Sequence, residues 1–343
     1  MSNLTIKQAQ NTDEQAWDNY VNQHPDATFF HLFGWKKALE QSFRHKNYYL
    51  YALDNNKITG ILPLGHIKSL LFGNTLISTP FAVYGGILAD NDEVKQSLRQ
   101  AACELAEKLK VDHLELRNIK RDNPDWPYKE LYVYFKKELA ANDDDNLKAI
   151  PRKQRAMVRK GIKGGLEYEV NKDVDTFFEA YSESVRNLGT PVFPKKLFKS
   201  LLEVFKDRVD ILTVTKDQQL VASVLSFYYK ETVLPYYGGG TWLARNLKGN
   251  DFMYWSLMQH SLKKGITAFD YGRSKEGTGS YSFKKNWGFE PKPLYYEYYL
   301  VKAKEISEIN PLNPKYQMFI KLWQKLPLKV SQILGPVLAR NLG

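Results

Sequence analysis

Two stretches of this 343-residue chain answer one another, and that repetition constrains the fold more than any other feature. In the first half, Tyr84-Gly-Gly86, a helical pattern and Leu114-Glu-Leu-Arg117 follow in order. In the second half the same order returns as Tyr237-Gly-Gly239, a helical pattern and Phe269-Asp-Tyr-Gly-Arg273. Self-similarity at this distance is the mark of a duplicated unit. Each copy reads as hairpin, helix, strand, so an α+β architecture in two tandem units is expected.

The local patterns fill in both halves. Asp13 to Asn22 reads as a short helix, and an aromatic strand-like piece from Phe29 leads into a helix ending near Phe43. Tyr48–Asp54 and Lys57–Pro63 form a hairpin, because Asn55-Asn56 tolerates the positive backbone angles of a tight turn. Asp92 to Leu109 carries Val94, Leu98, Ala101, Leu105 and Leu109 on one helical face. In the second half, Asp175–Leu188 and Lys195–Phe205 are helical, and Asp210–Lys216 pairs with Gln219–Tyr228 about Asp217-Gln218. A strand at Val233–Tyr237, a helix at Asp251–Lys264, a strand at Thr267–Asp270 and a last strand at Lys292–Val301 complete it.

The run Ala140-Ala-Asn-Asp-Asp-Asp-Asn146 is short, polar and acidic, as a linker is. It sets the expected boundaries: a first domain at 1–146, a second at 147–303, and a tail at 304–343. From Ile309 onward the tail has no acidic residue and five basic ones. Tyr316, Phe319, Ile320, Trp323 and Leu326 recur at helical spacing, as do Val330, Ile333, Leu334, Val337 and Leu338 beyond Pro327. Lys315, Lys321, Lys325 and Lys329 fall between them. A basic amphipathic helix with Trp323 as anchor suits an anionic membrane surface; a helix pair docked on the body fits the same pattern.

Charge narrows the partners. A formal net charge of +11 suits a polyanion, whether RNA, a nucleotide-bearing substrate or an anionic membrane. Seven basic residues and no acid occupy 148–164. Pro151 fits the first turn of a helix there and Gly161 its end. Arg152, Arg155 and Arg159 then share one face, and their forks suit phosphate or carboxylate. Met1 to Asp13 has no apolar signal core, and no run of eighteen apolar residues occurs. A cytoplasmic protein is expected, peripheral on the inner face of the cell membrane if the tail binds there.

Several chemistries have no support. The six histidines are dispersed without metal-binding spacing, so no metal site is expected. The single cysteine, Cys103, sits among alanines and leucines as a small buried hydrophobe. Neither a nucleophile elbow nor a phosphate-binding P-loop is present. Arg245-Asn-Leu-Lys-Gly-Asn-Asp251 faintly echoes a coenzyme A pyrophosphate loop, but with one residue too many; a polar helix cap at Asn250 is the simpler reading.

Phe269 to Pro291 is different. It holds Gly272, Gly277, Gly279 and Gly288, where unusual backbone angles or close approach are wanted. Asp270 stands at the expected strand end, a common ligand position. Phe283, Lys284, Lys285 and Trp287 bring lysines against aromatic rings, where a poorly hydrated ammonium stabilises a developing oxyanion. Tyr281 and Tyr237 are neighbouring substrate-binding candidates.

These residues resemble a known family. Phe269 to Pro291, Tyr236-Tyr-Gly-Gly-Gly240 and the basic Pro151–Gly161 helix look like the FemAB-type aminoacyl/acyl transferases. The likeness is closest to the branch associated with PEP-CTERM/exosortase systems. The tail, with Asn310-Pro-Leu-Asn-Pro-Lys-Tyr316 and Ala339-Arg-Asn-Leu-Gly343, resembles the same branch. The resemblance implies two tandem N-acetyltransferase-like domains of the acyl-CoA N-acyltransferase fold, with transfer of an acyl or aminoacyl group to an amine.

It also places the family's Phe-Lys pair on Phe283 and Lys284, with Lys284 stabilising the carbonyl oxyanion. Asp270 then completes the catalytic set, and Arg273, Lys285, Tyr237, Tyr281, Arg152, Arg155 and Arg159 are the substrate-binding set. The implied donor is aminoacyl-tRNA or acyl-CoA, with no tightly bound cofactor. The implied acceptor is an amine of a peptidoglycan peptide or exopolysaccharide amino sugar, free or lipid-linked. The chain lacks the long helical insert that some Fem ligases use for tRNA. A basic module that binds RNA or anionic membrane without catalysis is the competing expectation.

Overall fold

The structure is a computed structural model and describes residues 4–69, 73–306 and 314–343. It comprises two compact units. The first is Met1–Leu131 with Pro293–Ile309 and Arg340–Gly343; the second is Tyr132–Lys292 with Asn310–Ala339. Asn310 to Asn313 of the tail motif, and the side chains of Lys315 and Tyr316, lie outside the described residues.

The first unit opens with β1 (Thr5–Gln8), α1 (Glu14–Gln23) and α2 (Phe33–Phe43). Phe29–His31, expected as a strand-like piece, is a 3-10 turn leading into α2. The strands β2 (Lys46–Asn47), β3 (Leu50–Asp54), β4 (Lys57–Leu62), β5 (Gly65–Ser69), β6 (Gly73–Ser78) and β7 (Leu88–Ala89) follow. Asn55 and Asn56 take φ of 47° and 62°, as the tight turn between β3 and β4 requires. Asn91 caps α3 (Asp92–Lys108) by accepting from the Val94 N–H, and β8 (His113–Asn118) and β9 (Tyr128–Lys129) come next. The core of this unit gathers Leu62, Leu76, Leu98, Leu114 and Cys103. Burial pushes the Cys103 thiol up to about 11, so it packs as a hydrophobe.

The second unit opens on β10 (Tyr132–Glu138), α4 (Asp143–Ala149), α5 (Arg152–Lys163) and β11 (Glu167–Asn171). It continues with α6 (Val174–Asn187), α7 (Lys195–Phe205), β12 (Val209–Lys216), β13 (Gln219–Tyr229) and β14 (Thr232–Gly240). Then come α8 (Ala244–Leu247), α9 (Gly249–Lys263), β15 (Ala268–Lys275), α10 (Gly279–Asn286) and β16 (Pro291–Pro293). The last strand, β17 (Tyr295–Leu300), lies in the first unit, and α11 (Pro314–Gln324) and α12 (Leu328–Ala339) lie in the second. Among the described residues no helix is long and apolar enough to cross a membrane.

Each unit contains the repeated motif as a strand, a helix and a parallel strand. In the first, β6 and β8 are parallel with α3 between them. In the second, β14 and β15 are parallel with α9 between them. The sheet of the second unit runs β11-β12-β13-β14-β15-β10-β16. Helices α5 and α9 contribute Val158, Met253, Leu257 and Met258 to the core over its Leu212, Val214 and Val224. The α6 and α7 side presents Tyr181 and Phe198 to Tyr237 of β14.

The units do not divide at residue 146. Asn142 caps α4, and Asp143, Asp144 and Asp145 fill its first turn, where they complement the helix dipole. The polar run is thus a helix start. Strand β10 pairs antiparallel with β15, which ties 132–138 to the second sheet, and β17 pairs with β8, which returns 295–300 to the first. Nor is the tail separate. Trp323 is 4% exposed, and the Gln324 side chain donates to the Asn187 carbonyl at the end of α6.

Candidate functional site

The site begins with a short ladder. Strands β14 and β15 pair only at Thr232–Ala268 and Val233–Phe269. Beyond Val233, β14 keeps its partner β13 on one side, and β15 keeps β10, its partner from Ala268 onward, on the other. Among the described residues the β14–β15 ladder ends at Val233–Phe269, so the two strands part from there toward Gly240. Backbone N–H and C=O groups in that position recruit an extended ligand.

At the carboxyl end of β14 a cavity of about 710 Å³ opens within the second unit. Its walls are Ser184, Asn187 and Leu188 from the end of α6, Gly240, Thr241 and Trp242 after β14, and Met157 of α5. Ala244, Arg245, Lys248, Asn250 and Asp251 come from the turn into α9, and Phe283 from α10. The volume suits one small-molecule arm. Gly240 is what lets the turn close here: a Cβ would stand 2.2 Å from that of Ala244.

The turn into α9 differs from its sequence reading. Lys248 takes a left-handed conformation (φ 60°, ψ 35°), the helix starts at Gly249, and no side chain caps it. Asn250, expected as the cap, lies inside the first turn and lines the cavity. An uncapped helix start preceded by Arg245 and Lys248 favours an anionic group. Deeper in, Asp251 is 8% exposed, and its Oδ1 accepts from the Gln154 amide and from Trp287 Nε1. Burial pushes its carboxyl up, while both donors and Lys248 pull it down.

The 269–291 stretch is more regular than its glycines suggest. Strand β15 does not stop at Asp270 but continues to Lys275. Gly272, at φ 65°, sits opposite a bulge in the β10 pairing between Tyr134 and Lys136. Asp270 is 3% exposed in mid-strand and accepts from the Gly272 N–H at 2.7 Å. Thr278 then caps α10, accepting from the Tyr281 N–H.

Helix α10 divides the Phe-Lys pair between two environments. Phe283 faces the cavity and packs near Tyr254 and Trp287. Lys284 turns back to β15, where its Nζ donates to the carbonyls of Tyr271 (2.8 Å), Gly272 (3.3 Å) and Arg273 (2.9 Å). Desolvation of the enclosed ammonium lowers its pKa from 10.5 to about 7, with Asp270 opposing the shift and Arg273 adding to it. All three N–H directions are occupied in this arrangement.

The other expected residues are dispersed around this unit. Arg273 lies over the Tyr132 ring, and exposed Lys285 lies over Tyr281. Tyr281 packs on Phe135. Tyr237 is buried among Tyr181, Phe193 and Phe198 and does not line the cavity. Neither Arg152, Arg155 nor Arg159 lines it either; Met157 of the same helix does. Gly161 does not end α5 but allows it to touch α9, since a Cβ there would stand 2.9 Å from that of Phe252. Sequence reasoning missed Trp242, and it missed Arg245, Lys248 and Asp251, whose one signal was the loop passed over as a helix cap.

Comparison with known proteins agrees with this geometry. The family model for the acetyltransferase (GNAT) domain matches residues 148–285. Among solved structures, FemX is similar over 92% of this chain and 100% of its own, at 13% identity and a TM-score of 0.65. A tandem GNAT protein from the clavulanic acid biosynthesis pathway is similar over 88% and 100%, at 11% identity and 0.56. The C-terminal domain of a putative lysylphosphatidylglycerol synthetase from Agrobacterium fabrum is similar over 84% and 91%, at 12% identity and 0.56. No curated protein matches significantly. The chain has a GNAT/FemAB-like acyltransferase fold, with mixed sheets and helices consistent with tandem acetyltransferase domains. With a GNAT acetyltransferase domain in its second half, the protein is an acyltransferase.

Proposed function

We propose that the protein transfers an acyl or aminoacyl group from an anionic carrier to an amine of a cell-envelope precursor. The carrier is acyl-CoA or aminoacyl-tRNA; the acceptor is a peptidoglycan peptide or an exopolysaccharide amino sugar, free or lipid-linked. The observation that carries this reading is the cavity at the end of β14, where Arg245 and Lys248 precede an uncapped helix start. Carrier phosphates belong at that turn. The acyl arm would then run along β14 toward its separation from β15.

The acceptor amine attacks the carbonyl carbon. A C–N bond forms, and the carbonyl electrons collect on oxygen. Their return expels the thiolate of coenzyme A or the ribose alkoxide of tRNA, and the proton lost by the amine converts the leaving group to the thiol or the hydroxyl. Phe283 forms the apolar wall beside the reacting carbonyl, and Lys284 supplies positive charge to the oxyanion. That role requires one Nζ–H to leave its backbone carbonyl on substrate binding. Asp270 holds the β15 backbone at Gly272, against which Lys284 rests. Arg273, Lys285, Tyr281 and the Arg152, Arg155 and Arg159 face remain candidates for contacts to the larger substrates.

The test is a transfer assay with labelled acetyl-CoA and labelled aminoacyl-tRNA against an envelope-precursor fraction. Wild-type protein is expected to label an amine from one of the two donors. Arg245→Glu with Lys248→Glu is expected to raise the donor KM at least tenfold with a smaller change in kcat. Donor use with an unchanged KM would remove the cavity from the reading.

A further inference from the structure

The C-terminal helix pair is packed inside out. Along α12 the buried residues are the small ones, Ser331, Gly335 and Ala339, four apart. Gly335 lies so close to Val192 that a Cβ would stand 2.7 Å from a Val192 methyl carbon. The large apolar residues of the same helix, Val330, Ile333, Leu334 and Val337, follow the i, i+3, i+4, i+7 spacing of one stripe. That stripe faces solvent, Ile333 being 72% and Val337 63% exposed. On α11, Met318, Phe319 and Leu322 are exposed as well, while Trp323 is turned inward. A helix whose function ends at packing on its own unit has the reverse arrangement. Exposed large apolar residues gathered on consecutive helices in this way mark an interaction site.

Charge identifies the partner. Lys321, Lys325 and Lys329 are exposed on the same segment, and no acidic residue follows Ile309. Lysine stems extend over apolar surface and place their ammonium groups at the level of lipid phosphates. A two-fold contact with a second copy would instead bring the same lysines together on a chain of net charge +11. The patch also reaches the cavity. Gly189 packs against Ile320 of α11, and the preceding Leu188, like Trp242, is a strongly exposed apolar residue lining the cavity.

We propose that the outer face of α11 and α12 docks into the interface of an anionic membrane leaflet, with Leu188 and Trp242 bringing the cavity mouth to the lipid surface. The docking stands on the exposed stripe and its lysines alone; its use, presenting a lipid-linked acceptor to the cavity, rests on the acyl-transfer reading. Trp323, the expected anchor, is the residue that fastens the pair to its own unit.

Flotation of the full chain with vesicles of phosphatidylcholine, alone or with one-third phosphatidylglycerol, tests it. Wild type is expected to float with the anionic vesicles. Leu322→Glu with Ile333→Glu, both at exposed positions, is expected to lower the bound fraction at least tenfold with an unchanged circular dichroism spectrum. Lys321→Gln, Lys325→Gln and Lys329→Gln should each weaken anionic-vesicle binding roughly fivefold at low salt. Wild type left in the dense fraction overturns the proposal, as does equal flotation of the glutamate variant. A dimer that the glutamate variant abolishes, without flotation of wild type, overturns it in favour of a second copy. Failed flotation with intact transfer to a water-soluble amine rejects the membrane contact alone; flotation without transfer rejects the acyl-transfer reading alone.

Discussion

Lys284 is held where its charge is expensive and its hydrogen bonds are complete. The unfolded lysine titrates near 10.5 and the folded one near 7, so between those values the unfolded chain binds a proton that the folded chain does not. Folding stability contributed by this site therefore rises with pH from about 7 to about 10.5 and is lost again as pH falls from 10.5 to 7. Urea melts across that window should show wild type gaining on Lys284→Met as pH increases; a constant difference would contradict the depressed pKa. The activity has the opposite sign. If the charged form stabilises the oxyanion, kcat falls as pH rises through 7, and Lys284→Arg removes that fall because arginine keeps its charge. Lys284→Ala should lower turnover on the order of 100-fold or more at pH 6.5 or so, the usual cost of one oxyanion donor. Turnover that stays at the wild-type level in Lys284→Ala would leave the lysine as a fastener of α10 to β15.

Among elements, those specified by local chemistry were legible. Asn55-Asn56 and Asp217-Gln218 announce their hairpins, and all four residues take the positive φ that such turns need. Where the deciding contact is distant, local reading fails. Nothing between Asp270 and Lys275 states that β10, more than a hundred residues earlier, will extend the strand. Asn250 has the chemistry of a cap, but left-handed Lys248 and Gly240 place the chain so that it enters the helix instead. On α12 the periodicity was visible, yet which stripe would be buried depended on the small residues that meet Val192. The same reasoning explains Gly161, an interior glycine that permits α5 to meet α9. Gly161→Leu is expected to destabilise the protein by about 1–3 kcal/mol through overpacking, read from its urea midpoint; an unchanged midpoint would mean the two helices are not in register there.

For the whole chain, the repeat predicted two units, but sequence order did not predict their membership. Strands β10 and β17 belong with the units on the far side of their expected boundary. The halves also differ in chemistry. Leu114 to Asn118 is the counterpart of the 269–291 stretch without its glycines or Phe-Lys-Lys, and the GNAT domain match covers only the second half. Helices α11 and α12 of the tail belong to that second unit: Trp323→Ala should cost about 3–5 kcal/mol in a denaturant melt, the usual range for a buried tryptophan. A loss within experimental error would mean that α11 is not docked.

The proposed acyl transfer to an envelope amine runs through the cavity at the end of β14. Mass spectrometry of the envelope-precursor fraction, incubated with each donor and with wild type or the Arg245→Glu/Lys248→Glu variant, tests it most directly. One amide-linked acyl or aminoacyl mass is expected, present with wild type and lost with the variant at subsaturating donor. No mass gain from either donor, or an equal gain with the variant, would contradict it.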